Sequence, residues 1–472
     1  MFSDKVCRRA RINRDSRFDG LFYSAATTTK VYCRPICPGT PPLEGNATYF
    51  SSSAAARAAG YRPCLRCRPE LAPGNWMRNA VDWRVRHVLE RIHQGAPAAA
   101  LTAAERTSGA AFRNVVGASV TQYQLAHRLD CAKMLLSDTA LELSRVATAT
   151  GFSSPRQLQK AVTRLYGRDI FASRKPLPPG QRDGLPAYTL MVHYRPPFDW
   201  GGCLEYFRKR AIAGVEWADG ETYRRSFQID GHPGWFSLQH VPDRRALRLE
   251  VHTDALSGLM QIVMRIRRMF DLDADPLMLD AFFRNDRLLG KLWKKHRGLR
   301  VPVGWDAFEF SVRAVVGQLI SVRAATVLMG KIAGAFSEET TLQAPREIGR
   351  VFPGPSRLQD ADLQSCGLTQ NKAAAIRAIA RATLQGTLVL GSTADLKPYL
   401  QQCTALRGIG DWTAQTIAMR GMGHPDAFPA GDLGIVKALS TEGRRLKPAE
   451  VHKTAERWWP WRAYAAMLLW RK

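Results

Sequence analysis

Read as a pattern of apolar and polar positions, the chain changes character along its length. Residues 78–172 read as helices with short turns. Residues 186–270 mix strands with a few helices, and Leu247 to Val251 alternates as a half-buried strand does. From about residue 271 to the end the pattern is mainly helical. Ser51 to Ala59 reads as a serine-capped helix ended by Gly60. Breakers punctuate these stretches. Pro69, Pro73 and Gly74 close the first, and Lys175-Pro-Leu-Pro-Pro-Gly-Gln-Arg-Asp-Gly184 predicts a linker. The expected division is 1–75, 78–180, 186–270 and 271–472, a multidomain α+β chain.

Composition narrows the partners. The chain has 472 residues, more than one ordinary core holds, and 45% of them are hydrophobic. Lys and Arg number 68 against 41 acids, a formal net charge of +27. That excess points to a polyanion, nucleic acid before acidic membrane. No apolar run approaches the roughly 18 residues of a transmembrane helix. No apolar signal-peptide core precedes Cys33, so a cytoplasmic location is expected.

Cysteine usage is uneven. Five of nine cysteines precede residue 70. Cys33-Arg-Pro-Ile-Cys37 and Cys64-Leu-Arg-Cys67 form two close pairs, so four thiolates can converge on one ion. Such a soft ligand set fits tetrahedral zinc. Cys7 lacks a partner at ligand spacing and is expected to be a small buried side chain. Arg34, Arg62, Arg66 and Arg68 flank the cluster and could draw in a DNA backbone. A methylated phosphate is electrophilic at its methyl carbon, and a zinc thiolate is a good nucleophile towards it. Transfer would make the cluster less negative and strengthen its hold on phosphates.

Phe18-Asp-Gly20, Tyr32-Cys33-Arg-Pro35, Cys37-Pro38 and Gly60-Tyr-Arg-Pro-Cys-Leu-Arg-Cys-Arg-Pro69 resemble the N-terminal domain of the adaptive-response protein Ada. The resemblance implies that Cys33, Cys37, Cys64 and Cys67 hold one zinc ion. It also implies that Cys33 accepts a methyl group from a methylphosphotriester. Ala147 to Phe152 followed by Ser153 to Tyr166 reads as helix, turn, helix, with Gly151 in the turn and Ser153 as the cap. Arg156, Gln157, Gln159, Lys160 and Arg164 would face a groove. The segment Arg128 to Gly167 resembles the second helix-turn-helix of AraC-type regulators. The first unit, over Thr102 to Val120, is expected to be shortened.

Near the C-terminus, Leu406-Arg-Gly-Ile-Gly410 precedes Asp411-Trp-Thr-Ala-Gln-Thr-Ile-Ala-Met419. The glycines permit a tight hairpin whose amides can face a phosphate. Phe428-Pro-Ala-Gly-Asp432-Leu-Gly434 then places an acid about twenty residues on, where a satisfied helix cap is the minor alternative. Trp412, Trp458, Trp459, Trp461, Tyr464 and Trp470 surround it in sequence, and most are expected in the core. A flipped alkylated purine is cationic and needs flat, electron-rich walls. A carboxylate would stabilise the oxocarbenium-like sugar left behind.

The region from Tyr194-Arg-Pro-Pro-Phe-Asp-Trp200 to Trp470 resembles the DNA-3-methyladenine glycosylase II family, built on the helix-hairpin-helix fold. The resemblance implies Asp432 as the catalytic acid and Leu406, Gly408 and Gly410 as the phosphate-binding hairpin. It implies a DNA-gap segment at Val316-Gly-Gln-Leu-Ile-Ser321, with Gln318 contacting DNA and Leu319 as the wedge. Trp412, Trp470 and Tyr206 match pocket aromatics, and Thr416 stands where the family has Tyr. Trp412 occupies the place where related bifunctional glycosylases keep a Schiff-base lysine, and no lysine occurs from Pro398 to Leu433. The implied fold is a small zinc domain, a helical helix-turn-helix domain, a small α/β subdomain and an all-α helix-hairpin-helix domain. The implied function is monofunctional removal of alkylated purines from double-stranded DNA by a monomer, with zinc and no organic cofactor. The competing reading is a methylation-sensing transcriptional regulator whose glycosylase domain is weak or inactive.

Overall fold

The computed structural model describes residues 2–75, 83–93, 109–139, 141–166, 187–337, 343–391, 395–441 and 444–472. The expected linker at 175–184, and residues 102–108 of the first helix-turn-helix unit, lie outside them. The chain forms two compact units: 1–197 with 241–267 and 272–277, and 198–240 with 268–271 and 278–472. Among the described residues no helix is long and apolar enough to cross a membrane.

The first unit opens with a four-stranded sheet in the order β3-β1-β2-β4. These are β1 (Tyr23–Ala26), β2 (Val31–Cys33), β3 (Ala47–Phe50) and β4 (Arg62–Pro63). β1 runs antiparallel to β2, with Ser24 opposite Cys33, while β2 and β4 are parallel. Tyr23, Ala25, Tyr32, Ala56 and Tyr61 form its small core, and Cys7 is fully buried beside Phe22 and Tyr49. The expected helix is Ser53–Ala58, and its cap is Ser52, one residue later than the sequence suggested; the Ser52 hydroxyl accepts from Ala55 N–H. Gly60, at φ +86°, lies just past its end.

Among the described residues five helices follow in this unit: Trp83–His93, Gly109–Val116, Val120–Asp138, Leu143–Ala149 and Pro155–Tyr166. Ser119 and Gln122 close a reciprocal capping box at the start of the longest. The turn between the last two contains Gly151 at φ +73°. There Ser154, with Pro155 behind it, accepts from Gln157 N–H, while Ser153 binds the Gln157 side chain. The cap is therefore one residue beyond the expected Ser153. Apolar positions Leu158, Val162 and Tyr166 are buried, and Arg156, Gln157, Gln159, Lys160 and Arg164 are exposed.

Ion pairs bind the sheet to the helices. Arg57 pairs with Asp130, and its Nη1 donates to the Ala126 carbonyl at 2.8 Å. Arg68 reaches Asp138 at 2.7 Å. The half-buried Arg57–Asp130 pair couples the two parts, because removing one partner would leave the other charge without its counter-ion. Arg195, from the motif at 194–200, is fully buried and structural. Its guanidinium donates to the carbonyls of Asp19 at 2.9 Å, Gly74 at 2.6 Å and Ala274 at 3.0 Å. Strands Ala187–His193 and Ala246–Thr253 pair antiparallel, Leu190 opposite Leu249, and the second contains the expected Leu247–Val251 alternation.

The second unit holds the antiparallel run Glu216–Ala218, Thr222–Ile229 and His232–Val241, then mainly helices. Helix Ala307–Val316 is its axis. Nine of its ten residues are buried, so it is enclosed around nearly its whole circumference. Asp306 caps it, accepting from Phe308 and Glu309 N–H. Its one interior acid, Glu309, is paired with the buried Arg225, which also holds Glu216 at 2.7 Å.

Candidate metal centre and active site

The four predicted ligands converge. The sulfurs of Cys33, Cys37, Cys64 and Cys67 all lie within 4.8 Å of one another, and the Cys37 and Cys64 sulfurs are 4.0 Å apart. Zinc–sulfur bonds of about 2.3 Å in a tetrahedron place sulfurs roughly 3.8 Å apart, so the cluster fits zinc. Backbone N–H groups tune it. Arg34 N–H donates to Cys67 at 3.4 Å and Gly39 N–H to Cys37 at 3.4 Å. Among the described residues no such backbone bond is found at the Cys33 sulfur.

The arginines around the cluster divide into two roles. Arg34 is buried; its Nε donates to Asp19 at 2.8 Å and its Nη1 to the Cys67 carbonyl at 3.1 Å. Burial opposes its charge, but Asp19 outweighs that and holds its pKa above the ordinary value. Arg68 is occupied by Glu70 and Asp138. Both therefore stabilise the fold, and a phosphate would be met by the exposed Arg62 and Arg66.

In the second unit, Asp432 caps helix Leu433–Leu439. Its Oδ1 accepts from Gly434 N–H at 2.9 Å and Ile435 N–H at 3.1 Å. The same oxygen accepts from the Trp470 indole at 2.8 Å, and Oδ2 from the Trp412 indole at 3.2 Å. The helix cap and the acid that the sequence predicted for the pocket are thus one residue. Oδ2 accepts only the Trp412 indole among the described residues, which leaves it a lone pair. Trp412, Trp470 and Asp432 are all half-buried, whereas Trp458, Trp461 and Tyr464 are core and Trp459 is exposed.

Trp412, Thr416 and Arg420 follow at four-residue spacing along helix Asp411–Arg420, so they share a face. The Thr416 hydroxyl is buried and has no hydrogen-bond partner among the described residues. Arg420 was not anticipated. Its guanidinium lies 4.9 Å from the Trp470 ring centre and 4.4 Å from that of Tyr206. Arg210 lies 4.1 Å from the same Tyr206 ring. Tyr206 therefore joins the site with two guanidiniums against it. Burial lowers the pKa of Arg420. Its charge offsets part of the field of Asp432. Gly434 was also missed. A Cβ there would sit 3.1 Å from both Asp432 Oδ1 and Trp470 Cδ1, so any side chain would disturb the carboxylate.

Leu406-Arg-Gly-Ile-Gly410 joins helices Leu396–Thr404 and Asp411–Arg420. Gly408 takes φ +87°, and Gly408 and Gly410 are exposed while Ile409 is buried. The loop after helix Ala307–Val316 carries Leu319. Its relative exposure is 102%, and its φ is +58°. A left-handed leucine costs about 1–3 kcal/mol and gains nothing from water. Gln318 turns inward, donating to the Gly408 carbonyl at 3.1 Å and to Thr413 Oγ1 at 2.9 Å.

Comparison with known proteins places these sites in context. Residues 6–70 match the metal binding domain of Ada, 98–170 a helix-turn-helix domain and 189–306 the AlkA N-terminal domain. The chain is 33% identical to the probable bifunctional transcriptional activator/DNA repair enzyme AlkA of Mycobacterium tuberculosis, over 98% of this chain and 95% of that protein. It is 33% identical to DNA-3-methyladenine glycosylase 2 of Escherichia coli, over 60% of this chain and 96% of that protein. The fold resembles the 3-methyladenine DNA-glycosylase from Archaeoglobus fulgidus, with TM-score 0.52 and 22% identity over 59% of this chain and 96% of that one.

Elemental analysis of freshly dialysed protein should find about one zinc per chain, and Cys64→Ser should lose it. Less than about half an equivalent, with no substituting metal, would contradict the assignment.

Proposed function

Because this chain belongs to the family of bifunctional transcriptional activator/DNA repair enzymes of the AlkA type, we propose that it excises alkylated purines from double-stranded DNA and senses methylated DNA phosphates. The observation that carries the first activity is the Asp432 carboxylate, held between two indoles by four N–H groups. We read the segments 1–75, 78–180, 186–270 and 271–472 as sensor, DNA-binding region, support and enzyme, acting as a monomer.

In this reading Gly408 and Gly410 hold a DNA phosphate while Leu319 fills the gap left by the flipped nucleotide. The base stacks beside Trp412 and Trp470, within reach of the Thr416 hydroxyl. The glycosidic bond breaks, its electron pair leaving with the base. Asp432 stabilises the positive sugar and orients a water, whose oxygen bonds to C1′ and whose proton is released. Trp412 occupies the hairpin position that a lyase needs for lysine, so the product is an intact abasic strand.

The second activity rests on the Cys33 sulfur. Zinc lowers the pKa of bound thiols and keeps them as nucleophilic thiolates. The Cys33 sulfur takes the methyl carbon, and the phosphate leaves as an ordinary diester anion. Ion pairs from this module to helix Val120–Asp138 support a regulatory role for the helices that follow.

Asp432→Asn should slow base release in single-turnover assays by at least about a hundredfold. The amide can still cap the helix, so folding and DNA binding should persist. Near-normal release would end the assignment, and a borohydride-trapped enzyme–DNA adduct would end the monofunctional reading. Peptide mass spectrometry after incubation with methylphosphotriester DNA should find a methyl group on Cys33; methylation of a different cysteine alone would contradict the sensor reading.

A further inference from the structure

The wedge loop does not hold its posture unaided. Helix Ala307–Val316 ends in carbonyls that have no partner within the helix. Lys372, on helix Gln370–Leu384, donates from Nζ to the Val316 carbonyl at 2.9 Å and to the Gln318 carbonyl at 2.8 Å. The two bonds bracket Gly317 and fix the residue just before the left-handed Leu319. A cation suits this place, because the C-terminal end of a helix carries partial negative charge. Burial lowers the pKa of Lys372, yet the two carbonyls give the ammonium direct partners.

The same helix supports the phosphate-binding hairpin. Ala375 lies one turn beyond Lys372, and a Cβ placed on Gly408 would stand 3.1 Å from its methyl group. The Gln318 side chain closes the triangle through the Gly408 carbonyl and Thr413 Oγ1. Wedge loop, hairpin and supporting helix are thus tied by four hydrogen bonds, and Ala375 leaves little room for a side chain at Gly408.

We propose that Lys372 is a positioning residue that, with Gln318, latches the Leu319 loop to the phosphate-binding hairpin, so that capture of a phosphate holds the wedge in its inserting posture. The inference rests on the reading of Leu319 as the wedge. It assigns Lys372 no contact with the base or the sugar. Its effect should appear only where a base must be displaced from a pair.

The test compares two duplexes bearing a single 7-methylguanine. In one the lesion is paired with cytosine, and in the other it sits in a bulge with no base opposite. Single-turnover rates are measured for the full chain, Lys372→Met and Leu319→Ala. Lys372→Met should lose about tenfold or more on the paired lesion and less than about twofold on the bulge. Leu319→Ala should show the same selectivity. Activity on the bulge also reports that each variant is folded. Equal losses on both duplexes, or no loss on either, would overturn the latch for Lys372. A Leu319→Ala protein with unchanged rates would refute the wedge itself. Absence of release by the wild-type chain on both duplexes would refute the glycosylase reading on which both depend.

Discussion

The second unit is organised around one carboxylate. Asp432 begins a helix, and its Oδ1 satisfies two of that helix's unpaired N–H groups. The two indoles then fix the carboxylate's rotation, one on each oxygen. A cap that only started a helix would not need Trp412 and Trp470. A catalytic acid that only faced solvent would not be held so firmly. Preorganisation of this kind means that little has to move when positive charge develops beside it. Gly434 exists as glycine for the same reason, since a methyl group there would press on the acid and on Trp470.

Other features follow from that fixed point. Helix Asp411–Arg420 presents Trp412, Thr416 and Arg420 along one face, and its start is the exposed hairpin at Gly408 and Gly410. In the proposed function the base pocket and the phosphate grip are therefore two ends of one helix. Gln318 and Lys372 extend the connection to the loop of Leu319. In the first unit the equivalent anchors are ionic. Arg34 and Asp19 hold the cysteine cluster from inside, while Arg57 and Arg68 fasten it to helix Val120–Asp138.

What could be read from the chain was local. Two cysteine pairs declare themselves by spacing, and the helix-turn-helix by Gly151 and the buried row Leu158, Val162 and Tyr166. The acid at 432 was legible beside its proline and glycine, but whether it was cap or catalyst was not. That ambiguity had no sequence answer because the two roles do not exclude each other: the structure shows the cap, and the proposed function gives the same carboxylate the catalytic role. The Trp470 bond spans 38 residues and the Gln318 bonds 90 and 95, separations at which no periodicity speaks. Arg34 and Arg68 stood with the candidate phosphate contacts because charge in sequence reveals neither the burial of Arg34 nor the ion pairs of Arg68. Arg420 had a signal, the four-residue spacing from Trp412 and Thr416, but its contact with Tyr206 depends on tertiary packing.

The central claim is that Asp432 acts through its charge on a positive sugar. Its most direct test is binding to two duplexes that mimic the reaction's intermediate, one with a neutral tetrahydrofuran and one with a cationic pyrrolidine in place of the sugar. The wild-type chain should bind the cationic duplex more tightly by at least about tenfold. Asp432→Asn should bind the two alike while keeping its affinity for the neutral one. A preference that survives the substitution would contradict the account.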